Sequence, residues 1–197
     1  MVARVAADAL SADLDEVIVV TGYHADAVEA TLAGLPVTVT RNPDPARGNL
    51  SSLRVGIAAA GSADAIALLL GDMPDVGVEV IDAMVRRWRD ERCWAMVAEY
   101  RGRRAHPFVL SAAAVAGIEG LSGSKPLWRY LGREAPEVVV VAPFDRELPA
   151  DVDTPADYAR LRGTDPTAVV GGEPGVTGEI EPRIEGPAER EPVEGAE

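Results

Sequence analysis

Cysteine occurs once in these 197 residues, at Cys93, so the chain can close no internal disulfide and build no cysteine-based metal cluster. That usage suits a reducing compartment, and a cytoplasmic location is expected. Aromatic residues make up 5% of the chain. No apolar run approaches the roughly 18 residues that a membrane span needs, and the opening MVARVAADALSADLDE lacks the basic flank and apolar centre of a secretory leader. Positive charge is short as well: 19 Lys plus Arg, with Lys125 the one lysine, stand against 32 Asp plus Glu for a formal charge of −13. A surface of that sign repels nucleic acid and anionic lipid. Neither is expected as a partner.

What is present suffices for one buried core, since 47% of the residues are hydrophobic. The acid is unevenly spread. Residues 163–197 hold nine acids against Arg183 and Arg190, with seven Gly, five Pro and no aromatic residue. Such a composition cannot bury enough apolar surface to offset its ordering entropy, so this tail is expected to be disordered and the functional domain to span residues 1–162.

Within 1–162 two periods alternate. Val2, Val5, Ala9, Leu10 and Leu14 recur at helical spacing, and the β-branched run EVIVVT at 16–21 reads as a buried strand. Helix at 24–32, strand at 37–41, helix at 50–60, strand at 65–70 (AIALLL) and helix at 78–90 continue the pattern. A hairpin then turns about Arg101-Gly102-Arg103, followed by helices near 111–121 and 124–131, a strand at 137–141 and a closing helix at 154–161. Alternation of this kind predicts an α/β fold, a mostly parallel sheet with helices on both faces, whose ligands bind beyond the carboxyl ends of the strands.

Two carboxylate-bearing loops stand out. Gly71-Asp72-Met73-Pro74 follows the AIALLL strand, where a carboxylate leaves a rigid element at the ligand edge and Gly71 leaves room for a close backbone approach. Asp72 suits Mg2+, which takes one or two carboxylates plus phosphates and water. A polar turn would use the same residues. In Asp151-Val152-Asp153-Thr154-Pro155-Ala156-Asp157, Thr154 reads as an N-cap, Pro155 as the first helical residue and Asp157 as the partner of a capping box. Asp151 and Asp153 are not needed for the cap and fit either a metal site or a bare turn.

Other candidates are less specific. Gly48-Asn49-Leu50-Ser51-Ser52-Leu53 opens a helix whose free amides could meet a base or phosphate, although Asn49 or Ser51 could equally be an N-cap. Arg101, Arg103 and Arg104 form either a phosphate grip or a solvated hairpin tip. His106, next to Pro107, could contact a substrate or be purely structural.

In their order along the chain these motifs resemble the MobA-like nucleotidyltransferase superfamily, nearest its molybdenum cofactor cytidylyltransferase branch. Gly71-Asp72-Met73-Pro74 followed by DVDTPADY at 151–158 is the most specific part. The resemblance implies a Rossmann-like three-layer α/β/α sandwich. It implies an enzyme joining a nucleoside monophosphate from CTP or GTP, CTP favoured, to a phosphorylated acceptor, molybdopterin favoured, with Mg2+ required and pyrophosphate released. Carried over by position, Asp72 and Asp151 are the catalytic and metal residues, with Asp153 a further metal candidate. Gly48, Ser51, Ser52 and Gly71 line the nucleotide pocket, and His106, Pro107 and Lys125 face the acceptor.

The sequence departs from that family in two places. The family opens with a strand and a glycine-rich loop of the type LAAGxSxRMGxxK, whereas this chain opens on helix-patterned residues; an in-frame segment upstream is the expectation. Gly123-Ser124-Lys125 stands where an acid commonly follows the glycine. The competing expectations are a non-catalytic nucleotide-binding or partner protein on the same fold, and a transferase acting on a sugar phosphate or phospholactate.

Overall fold

A computed structural model of the chain describes residues 1–121, 126–132 and 139–163. Of the acidic tail only Gly163 is among them. The element order is α1 (Val2–Ser11), β1 (Ile18–Thr21), α2 (Ala25–Leu32), β2 (Thr38–Arg41), a 3-10 turn at Pro45–Arg47, α3 (Asn49–Ala60), β3 (Ala65–Leu68) and α4 (Val78–Glu91). After these come β4 (Ala95–Tyr100), β5 (Arg103–Ser111), α5 (Ala112–Ala116), a 3-10 turn at Ile118–Gly120, α6 (Pro126–Leu131), β6 (Val139–Phe144) and α7 (Pro155–Leu161).

β1 and β2 pair in parallel, from Ile18↔Thr38 to Thr21↔Arg41. A second, four-stranded sheet has the order β3-β5-β4-β6. There β5 runs antiparallel to β3 and β4, while β4 and β6 are parallel. It follows that β3, β4 and β6 all point one way and β5 alone opposes them. The hairpin that reverses it turns at Arg101 and Gly102, both at positive φ (45° and 82°), a conformation that glycine adopts without steric cost.

Side chains alternate across β4, and the two faces bury different layers. Met96, Ala98 and Tyr100 join Val80, Ile81, Met84, Val85 and Trp88 of α4 in one cluster, the helix contributing a stripe at 3.6-residue spacing. Ala95 and Val97 face the other way, into a cluster with Leu53 of α3, Phe108 and Leu110 of β5, Ala114, Ile118 and Leu131. Helices therefore cover both faces, and the α/β fold is the expected Rossmann-like three-layer sandwich. Burying a side chain such as Met84, fully enclosed here, contributes about 1.5–3 kcal/mol.

Two boundaries differ from the expected ones for local reasons. The single helix expected at 111–121 ends at Ala116 and gives way to the 3-10 turn at Ile118–Gly120; Gly117 between them is a poor helix former and leaves room for Tyr130, whose hydroxyl lies 2.0 Å from where a Cβ would stand. The last strand runs on through Pro143 to Phe144. Among the described residues it pairs on one side only, the edge position in which a sheet accommodates proline.

Candidate active site at one rim of the sheet

Because β3, β4 and β6 share a direction, their carboxyl ends reach one rim. Asp72 follows β3 and Asp151 follows β6, the two outer strands of the four-stranded sheet. Three interstrand spacings, roughly 14 Å, separate the strands that launch them. The 145–150 segment crosses that distance, and Val152 N–H then donates to the Asp72 carbonyl at 3.0 Å. Val152 and Met73 are buried beneath the junction. The rim thus joins two segments nearly eighty positions apart in sequence.

The electrostatics at this junction disfavour the ionised carboxylates. Burial pushes the Asp72 carboxyl above its usual range; its own backbone N–H opposes the shift and Asp153 adds to it. Asp151 is raised by burial and then by the charges of Asp72 and Asp153. The Asp72 Oδ1 atom is buried with no hydrogen-bond partner, a state that buried polar atoms rarely tolerate. Among the described residues no group of three or more metal-ligating side chains closes around one point. What the rim offers is three carboxylates, Asp72, Asp151 and Asp153, near enough for charge to act between them, and oxygen donors of this kind suit a hard divalent cation that completes its shell with water and phosphate.

Asp157 is explained without chemistry. The Thr154 side chain accepts from Asp157 N–H at 3.1 Å, and Asp157 accepts from Thr154 N–H at 2.9 Å, forming the expected capping box at the start of α7.

Gly48 is the N-cap of α3, with φ 80° and open space where a Cβ would stand. The alternative caps Asn49 and Ser51 lie inside the helix. Ser51 and Ser52 are held by Asn42, the residue just after β2, which no motif singles out: 6% exposed, it donates through Nδ2 to Ser51 Oγ at 2.8 Å and Ser52 Oγ at 3.0 Å. Its Oδ1 accepts from Asp44 N–H at 3.0 Å, and its N–H donates to Thr21 O at 2.7 Å. The start of α3 is thereby fixed to the carboxyl ends of β1 and β2. Since α3 runs back from there to the beginning of β3, its N-terminus lies at the same rim as Asp72. Around Gly71 the near neighbour is Val2, whose Cγ2 is 3.5 Å from a Cβ built there.

His106 and Pro107 fall where the β4–β5 register shifts, between Val97↔Phe108 and Ala98↔Ala105. They lie just beyond the last β3 pair, Leu68↔Phe108, and so at the Asp72 rim. Burial lowers the His106 pKa to about 4, leaving the ring neutral at pH 7, packed 4.1 Å from Phe108. Tyr100, its own pKa pushed up to about 12 by burial, donates to the His106 carbonyl at 2.9 Å. Lys125 lies outside the described residues. Of the three hairpin arginines, Arg101 is bonded to Asp145 and Glu147, and Arg104 faces Glu99 at 3.8 Å. Carboxylates within the protein engage both.

The MobA-like NTP transferase domain family matches residues 1–139. Among curated proteins, the purine catabolism protein PucB of Bacillus subtilis is 27% identical over 168 residues, 78% of this chain and 78% of that protein. The crystal structure of Rv0371c from Mycobacterium tuberculosis is 30% identical with a TM-score of 0.69, covering 83% of both chains. A structure of the same mycobacterial protein in complex with manganese is 32% identical with a TM-score of 0.65, covering 81% of this chain and 84% of that one.

Proposed function

Since the chain belongs to the MobA-like NTP transferase family, we propose that it transfers a nucleoside monophosphate, CMP in preference to GMP, from the triphosphate to a phosphorylated acceptor, molybdopterin favoured. An acceptor phosphate oxygen attacks the α-phosphorus, the α–β bridging P–O bond breaks and pyrophosphate leaves. The observation that carries this reading is the meeting of Asp72 and Asp151 over the sheet rim, with one buried Asp72 oxygen lacking any donor.

Asp72 and Asp151 would hold Mg2+, with Asp153 alongside; the manganese complex of the mycobacterial relative supports a divalent cation in this family. A cation held by these carboxylates would supply Lewis-acid neutralisation of charge on the phosphates and orientation of the α-phosphorus. The protein's own residues provide the rest. The open backbone of Gly48 and the first amides of α3 receive the nucleotide, Asn42 holds Ser51 and Ser52 in place, and Gly71 brings backbone close to the phosphates. His106, neutral at pH 7, presents a hydrogen-bonding ring without a cationic charge, and with Pro107 it forms the acceptor side. A cytoplasmic setting belongs to the same reading; no described helix is long and apolar enough to cross a membrane.

The test is pyrophosphate release from CTP and from GTP with Mg2+, using molybdopterin, a sugar phosphate or phospholactate as acceptor. Turnover should be greatest with CTP and molybdopterin. Asp72→Asn should lower it on the order of 100-fold or more, because a Lewis-acid contribution is worth several kcal/mol. Wild-type turnover in that variant removes Asp72 from the site, and triphosphate binding without pyrophosphate release with any acceptor assigns the chain to the non-catalytic reading.

A further inference from the structure

We infer that Arg146 is the positioning residue of this site, a latch that holds the Asp151 segment against the Asp72 segment; the inference rests on the reading of Asp72 and Asp151 as cation ligands. The carboxylates leave from opposite edges of the four-stranded sheet, so nothing in the strand pairing brings them together. That task falls to the 145–150 segment as it crosses the ends of β4 and β5. Arg146 lies near the start of the crossing, and its guanidinium reaches the loop after Asp72 at two points and the first turn of α4 at a third. It donates to the Asp75 carbonyl at 2.7 Å, to the Val76 carbonyl at 3.1 Å and to the Glu79 carboxylate at 3.1 Å.

The residues on either side of Arg146 are held from the other direction, since Arg101 at the β4–β5 turn pairs with Asp145 and Glu147. Leu148 packs on the cluster that contains Met73 and Val76. The segment is therefore tied before it reaches Val152, whose N–H makes the one backbone bond between the two carboxylate loops among the described residues.

Arg146 also borders a cleft of about 510 Å³ with Arg4, Asp8, Asp75 and Glu79. Arg4 is paired with Asp75 at 3.1 Å. With its two cations paired and several acids around them, this cleft does not attract phosphate, which separates a latch from a substrate-binding arginine. A planar fork that meets two carbonyls and a carboxylate together is something lysine cannot reproduce.

The experiment measures Mn2+ affinity and amide hydrogen exchange on the full chain for wild type, Arg146→Met, Arg146→Lys, Asp72→Asn and Arg87→Met. Arg87 donates to the Val141 carbonyl at 3.0 Å away from the rim, so its loss controls for a purely structural arginine. In Arg146→Met the Mn2+ Kd should weaken by about 10- to 100-fold, as for other groups that orient ligands from outside, and the Val152 amide should lose protection. Arg146→Lys should fall between, and it decides alone if the methionine variant does not fold. Arg87→Met should leave both readouts unchanged. Wild-type Val152 protection and Mn2+ affinity in the folded Arg146 variants would overturn the inference. Mn2+ binding that Asp72→Asn does not weaken would instead overturn the cation reading, while Val152 exchange still reports on the latch.

Discussion

Asp72 carries an ionisation cost that its neighbours increase. Its native pKa is raised, so its favourable contribution is fully present below the ordinary carboxylate range and is lost as pH rises through the native value. At pH 7.5 without metal, Asp72→Asn should therefore melt at or above the wild-type temperature, while losing the stabilisation that wild type gains from millimolar Mg2+. Differential scanning calorimetry with and without the ion checks both halves, and a variant that melts lower yet still responds to Mg2+ contradicts them. His106 has the opposite sign. The unfolded chain takes up its proton near 6.5 and the native state only near 4, so this stability is fully present above 6.5 and is lost as pH falls toward 4. Urea midpoints for wild type should drop across that window, and His106→Gln should flatten the drop.

The elements that carry these residues were largely legible as local patterns. Thr154, Pro155 and Asp157 announce the start of α7, and the capping box stands where that grammar put it. Thr154→Ala should cost about 1 kcal/mol, the usual worth of such a cap, and Thr154→Ser should restore most of it in denaturant titration. Helix α4 and strand β3 were readable from apolar spacing for the same reason, that periodicity is a property of consecutive residues. Asn42 and Arg146 were not. Asn42 acts through hydroxyls nine and ten positions away, and Arg146 through carbonyls some seventy positions away, so no window of the sequence displays either partner.

At the scale of the molecule, the division at residue 162 is a proposal that composition supports, and a chain ending at Gly163 should keep the thermal midpoint and Mn2+ affinity of the full chain. A large fall in either would make the acidic tail part of the domain. Local patterning along the chain set the succession of helices and strands, the capping of α7 and the two loops that bear carboxylates, because each depends on side-chain period and turn chemistry within a few residues. The tertiary structure alone decided that β5 and β4 lie between β3 and β6 and that one short segment spans their ends to bring Asp151 to Asp72. Strand order and loop crossing are set by packing between distant parts of the chain, and those contacts leave no local trace.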